Sequence, residues 1–89
     1  MLFPNRLGSA ILRLGALRVV IYPNDHRPAH VHVLGPDGEA VFVLNCPDGP
    51  PLLREIHGFS RPEAARIGAE LAAHVTALCG RWSEMHGRI

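Results

Sequence analysis

The chain has 89 residues, of which 47% are hydrophobic, and a formal net charge of +1 at pH 7. This length allows one domain with a modest core, and the near-neutral charge gives no bulk electrostatic reason for nucleic-acid or membrane-surface binding. No apolar run approaches the ~18 residues that a spanning helix needs, and the first residues lack the pattern of a secretory signal. We therefore expect a cytoplasmic protein that does not bind membranes.

Residues 9–57 predict an antiparallel sheet that follows a flexible arm over residues 1–8. Segments rich in β-branched and apolar residues, bounded by turn signals, predict strands at 17–22, 30–34, 39–44 and 52–56. The second and third of these flank Gly-Pro-Asp-Gly and should form a β-hairpin. The segment 9–14 fits either a strand or a helical turn.

The two cysteines, Cys46 and Cys79, are far apart in the sequence and form no CxxC pair. Such spacing gives no sign of a disulfide framework, and cytoplasmic thiols are normally reduced. We therefore expect two free thiols. Cys46 lies in an irregular loop, where it could instead join a metal site.

The last third of the chain predicts one long helix over residues 60–86. Ser60 and Glu63 fit a capping box at its start. Apolar residues then recur at helical spacing, and they are Ala64, Ile67, Leu71, Val75, Leu78, Trp82 and Met85. The predicted fold is therefore α+β: a small antiparallel sheet of three to four strands, with one long C-terminal helix packed across it.

Three of the six histidines fall in one short segment, as His26, His30 and His32. Side chains two apart in a strand share a face, so His30 and His32 should project side by side. Val31 and Val33 occupy the other face and are the natural core residues. We therefore expect the two histidines to face solvent, a partner subunit or a cleft.

Three imidazoles at this spacing could bind a divalent transition metal such as zinc, which three protein ligands hold at an open site. Asp25 could be a fourth ligand or could orient a ring, and His74 could point toward the sheet from the helix. A metal-dependent phosphodiester hydrolase would also need a base, for which Glu39 or Asp25 is available. The alternative is that these histidines have no ligand at all.

A different interpretation starts from the run 30–35, His-Val-His-Val-Leu-Gly. This run resembles part of the histidine-triad motif of nucleotide hydrolases and transferases, which implies a nucleophilic histidine. The full motif needs another histidine two positions before His30, where this chain has Pro28. The fold around that motif is also larger than 89 residues permit.

Several stretches share a pattern with one known family: residues 11–15, 17–22 and 38–42, the His26-x-Pro28-x-His30-x-His32-Val33 signature, Gly58-Phe59, His74 and Trp82. In these stretches the chain resembles the small bacterial proteins of domain-of-unknown-function family 4160, over about residues 11–86. The usual signature has two prolines before the second histidine, and here Ala29 replaces one of them.

The resemblance implies a compact domain that acts with a partner. Members of this family are often encoded beside another small protein, which suggests a toxin–antitoxin-like module. We therefore expect a binding module that forms a homodimer or binds the neighbouring gene's product, with contact to nucleic acid as a further option. The resemblance brings no catalytic residue with it. The alternative hypothesis is the small metalloprotein described above.

Overall fold

A computed structural model of the protein describes residues 10–87, so the predicted arm at 1–8 lies outside the described residues. Five strands and two helices follow one another: β1 (Ala10–Leu14), β2 (Leu17–Val20), β3 (His30–Leu34), β4 (Glu39–Val43), β5 (Leu52–His57), α1 (Arg61–Ala72) and α2 (Val75–His86). The strands form one antiparallel sheet in chain order, β1-β2-β3-β4-β5. The predicted α+β class is confirmed, whereas the numbers of strands and helices differ from the prediction.

The fifth strand comes from the segment that the sequence left ambiguous. β1 pairs with β2 through Leu14↔Leu17 and Arg13↔Arg18, and Gly15 turns the chain between them at a φ of 60°. Glycine adopts this left-handed conformation without the steric penalty of a Cβ atom, which suits a two-residue hairpin turn. The predicted hairpin of β3 and β4 is also present, with Val31↔Phe42 among its pairs.

The helical region begins as predicted. The Ser60 hydroxyl accepts a hydrogen bond from the Glu63 backbone N–H at 3.1 Å, and the Glu63 carboxylate accepts one from the Ser60 N–H at 2.7 Å. This capping box satisfies two backbone donors that have no partner within the helix. The hydrogen bond from the Ser60 backbone, with a further one from the Ser60 hydroxyl, lowers the pKa of Glu63.

The prediction of one long helix was wrong, because the helix is interrupted between α1 and α2. The Ala73 and His74 N–H groups donate to the carbonyls of Glu70 and Leu71, at 3.3 and 2.8 Å. These bonds reach back three residues rather than four, which tightens and ends the helix. His74 has φ −118° and ψ 5°, outside the helical region, and α2 begins after it. None of the described residues 10–87 forms a helix long and apolar enough to cross a bilayer.

The core lies between one face of the sheet and the two helices. Val31 and Val33 are fully buried there, as predicted. The predicted helical stripe is buried from its first member to Trp82 and comprises Ala64, Ile67, Leu71, Val75, Leu78 and Trp82. Met85 is 41% exposed and does not belong to it. Trp82 is the largest fully buried side chain and anchors α2 in this core.

Cys46 and Cys79 form a disulfide, with their Cα atoms 5.8 Å apart, so the prediction of two free thiols was wrong. The loop after β4 folds back onto α2, where the Thr76 hydroxyl donates to the Pro47 carbonyl at 3.2 Å. Separation along the chain does not limit which cysteines meet once a long connection folds back. Both sulfurs are used in this bond, so Cys46 is not free to be a metal ligand.

Candidate functional site

The candidate site lies at the start of β3, where the connection from β2 returns to the sheet. Asp25 is held there by a tight turn: the Tyr22 N–H donates to Asp25 Oδ2 at 2.9 Å, and the Asp25 N–H donates to the Tyr22 carbonyl at 3.0 Å. This exchange is a local side-chain-to-backbone motif typical of aspartate in turns. It fixes the carboxylate and leaves its other oxygen, Oδ1, facing the histidines.

Asp25, His30 and His32 converge through that oxygen. Asp25 Oδ1 lies 3.2 Å from His32 Nε2 and 3.5 Å from His30 Nε2. One ligand atom from each residue can be chosen so that all three lie within 4.8 Å of one another. The side chains of Asp25, His30 and His32 are only 12%, 5% and 15% exposed. Three polar groups are therefore gathered where water reaches them poorly.

His30 is buried, although it lies on the face of β3 opposite the core valines. Its ring centroid is 5.2 Å from that of Trp82, so α2 covers this end of the strand. The prediction that His30 faces solvent, a partner or a cleft was therefore wrong. Its Nδ1 donates to the Pro28 carbonyl at 2.8 Å, because a carbonyl can only accept. In the neutral ring, Nε2 then carries the lone pair, and this nitrogen faces Asp25 Oδ1.

His32 lies between two carboxylates. Its Nδ1 is 3.2 Å from Glu39 Oε2, and its Nε2 is 3.2 Å from Asp25 Oδ1. A neutral imidazole has one N–H, so it can donate to only one of these acceptors. Both contacts are favourable if the ring is doubly protonated, or if a cation lies between Nε2 and the Asp25 oxygen. The second arrangement is typical of metal sites, in which a carboxylate orients the ligating histidine from behind.

Two of the predicted ligands lie apart from this group. His26 is exposed on the turn between β2 and β3, and His74 is half-buried at the break between the helices. Neither belongs to the group of ligand atoms that converge.

The end of α2 also takes part in this site, which the sequence-based prediction missed. The His86 ring lies 4.1 Å from the Trp82 ring, and His86 Nε2 donates to the Tyr22 carbonyl at 3.2 Å. Tyr22 in turn packs edge-on against His32 at 4.7 Å. The spacing of four residues between Trp82 and His86 places them on one helix face. That spacing was the available signal.

A second feature lies at the other end of the sheet. β5 pairs with β4 and is an edge strand within residues 10–87. Leu52 is 57% exposed and Leu53 38% exposed on it. Both line a shallow groove of about 470 Å³ between β5 and α1, in which Arg61 is the charged residue. Exposed leucines on an open strand edge are unusual, because such edges pair readily with another chain.

Comparison with known proteins identifies a family but no function. The family model described as domain of unknown function (DUF4160) matches residues 17–83, which is most of the chain. No curated protein matches the chain, and no solved structure does so either.

Proposed function

We propose that this chain, which belongs to the DUF4160 family of domains of unknown function, binds a divalent transition-metal ion through Asp25, His30 and His32. The observation that carries the proposal is the convergence of one carboxylate oxygen and two imidazole nitrogens in a poorly hydrated site. Without a cation or an added proton, one of the two His32 ring nitrogens would turn its lone pair toward a carboxylate oxygen, which is repulsive.

The distances between these atoms suit a shared ion. Nitrogen and oxygen ligands lie about 2.0–2.1 Å from zinc in a tetrahedral site, so two of them are about 3.3 Å apart. The observed separations from Asp25 Oδ1 are 3.2 Å to His32 Nε2 and 3.5 Å to His30 Nε2. These two separations match the spacing of ligands around one ion, and all three ligand atoms lie within 4.8 Å of one another.

The chemistry of the ligands favours certain metals. Two imidazoles and a carboxylate suit Zn²⁺ and Fe²⁺, whereas soft ions such as Cu⁺ prefer thiolates, and both cysteines are paired with each other. Three protein ligands leave a coordination position for water. The two carboxylates that were candidate bases are both engaged with His32. These contacts therefore favour metal binding alone over metal-dependent phosphodiester hydrolysis.

Trp82 provides a direct test, because it is the only tryptophan in the chain and its ring lies 5.2 Å from that of His30. We expect Co²⁺ or Cu²⁺ to quench its emission with one ion per chain, and we expect Zn²⁺ to compete. Elemental analysis of protein purified without an affinity tag would identify the native ion. The His26→Ala variant is the matched control and should bind as the wild type does, since His26 lies outside the group. Unchanged emission together with metal-free protein would refute the proposal.

We also propose a second function, contact with a partner protein, as expected for one component of a toxin–antitoxin-like module. The specific observation that favours it is the exposed edge strand β5 with its two leucines. A partner strand could pair with β5 and place apolar side chains in the groove beside α1. Arg61 in this groove favours a partner strand that carries an acidic residue.

We expect Leu53→Glu to abolish association through this edge, because it places a charge in the apolar groove. The measurement is sedimentation of the purified chain, alone and co-expressed with the product of the neighbouring gene. Met85→Glu is the matched control, since Met85 is similarly exposed but lies on α2, away from β5. A wild-type chain that stays monomeric at high concentration and retains no partner would contradict this function. A homodimer that survives Leu53→Glu would place the interface elsewhere.

A further inference from the structure

We infer that the disulfide between Cys46 and Cys79 controls the metal affinity of the Asp25–His30–His32 site, so that reducing it weakens binding. This inference rests on the proposed metal binding. Its basis is that both ends of the disulfide lead directly to His30, one through α2 and the other through the sheet. The two routes can be followed residue by residue.

The first route runs along α2. Cys79 lies three residues before Trp82, which places the two about one helical turn apart on the same face. Both are buried, and the Trp82 ring lies against His30 at 5.2 Å. A bond that fixes Cys79 therefore fixes the turn of helix that covers His30.

The second route runs through the loop that follows β4. Cys46 follows Leu44 by two residues, and the Leu44 N–H donates to the Ala29 carbonyl at 2.9 Å. Ala29 immediately precedes His30 in the chain. The disulfide thus closes a ring of bonds and contacts that begins at His30, passes through the β4 loop and α2, and returns to His30 through Trp82.

Trp82 is the point in this ring at which the disulfide matters most. Its indole Nε1 is buried, yet it has no hydrogen-bond partner within the described residues. An unpaired buried donor costs roughly 1–3 kcal/mol, so the indole is held by packing and by the fixed position of α2 rather than by a polar contact. If α2 is released, Trp82 can shift to give Nε1 a partner, and His30 then loses the surface that fixes its ring.

The redox step is an ordinary thiol–disulfide exchange. A cellular dithiol attacks the Cys46–Cys79 bond and becomes a disulfide itself. Its two electrons and two protons pass to the cysteines, which become two thiols. α2 is then held only by noncovalent contacts. We expect the metal affinity to fall about tenfold, within the 10- to 100-fold range that follows the loss of groups that orient metal ligands.

The test compares Co²⁺ affinity in four samples: oxidised wild type, wild type reduced with a phosphine and then desalted, the same sample reoxidised, and the double variant Cys46→Ser/Cys79→Ser. The reduced protein and the double variant should bind about tenfold more weakly than the oxidised protein, and reoxidation should restore the affinity of the wild type. The serine variant excludes the new thiols as ligands. The absence of a thiolate-to-cobalt absorption band in the reduced wild type would exclude them there as well.

The outcomes separate the two proposals. Equal affinity in all four samples overturns the disulfide inference and leaves metal binding intact. No binding in the oxidised protein overturns the proposed function itself. Circular dichroism shows whether the serine variant folds, and if it does not, Cys46→Ala/Cys79→Val replaces it, because this pair fills the same apolar space. The comparison of reduced with reoxidised wild type tests the disulfide inference without any variant.

Discussion

Replacing Trp82 with alanine is expected to lower the free energy of unfolding by about 3–5 kcal/mol. Trp82 is fully buried and is the largest such side chain, and it contacts both His30 and His86 through its ring. Its Nε1 has no hydrogen-bond partner within residues 10–87, so the whole loss comes from packing and from the cavity that remains. Urea denaturation followed by circular dichroism measures the change, since the variant has no tryptophan emission.

Two further variants sharpen this prediction. Trp82→Phe removes the unpaired donor and keeps an aromatic ring, so we expect a much smaller loss than for alanine. Met85→Ala alters an exposed residue of the same helix and should change stability by less than about 0.5 kcal/mol. If Trp82→Ala were no more harmful than Met85→Ala, Trp82 would not hold α2 to the sheet.

Replacing His32 with alanine is expected to weaken metal binding more than about 100-fold, because loss of an orienting partner alone costs 10- to 100-fold. His32 is the proposed ligand whose two ring nitrogens both face carboxylates. Competition with a chromophoric chelator measures the affinity of each variant. Circular dichroism must show that the variant remains folded, since His32 is half-buried.

A graded series separates ligands from the residues that orient them. Glu39→Gln should weaken binding about 10- to 100-fold, because Glu39 contacts His32 from the side away from Asp25. Asp25→Asn should behave as His32→Ala does, since it removes the charged ligand. Equal loss in His26→Ala and His32→Ala would show that the ion is bound at some other place.

Local patterns in the sequence predicted most of the elements. The hairpin of β3 and β4 follows from two apolar runs about a Gly-Pro-Asp-Gly turn. The start of α1 follows from Ser60 and Glu63, whose spacing allows two reciprocal hydrogen bonds. These features depend on a few neighbouring residues, which is why the sequence alone is sufficient for them.

The break between the helices could not be predicted from such local patterns in the sequence. The apolar spacing continues from Leu71 through Val75 to Leu78 as though the helix were continuous, and all three are buried. Neither glycine nor proline stands at Ala73 or His74 to mark the change. The interruption appears only in the backbone, where the Ala73 and His74 N–H groups donate to carbonyls three residues back.

The candidate site was predicted only in part for a related reason. The alternation of His30 and His32 on one face of β3 can be read from the sequence, and Asp25 was a natural addition. The burial of His30 depends on Trp82, which is 52 positions later in the chain and reaches His30 through the packing of α2. His26 fitted the spacing of a ligand, but it lies on the exposed side of the turn.

The three proposed ligands lie between positions 25 and 32, whereas Glu39 and Trp82, which orient them, come from other elements. Closing so short a segment costs little chain entropy, so the denatured chain should keep a measurable share of the affinity. A ligand that also binds the denatured ensemble stabilises the native state by less than its native affinity implies. The ion should therefore raise the melting temperature only modestly, and part of it should remain bound after the fold is lost.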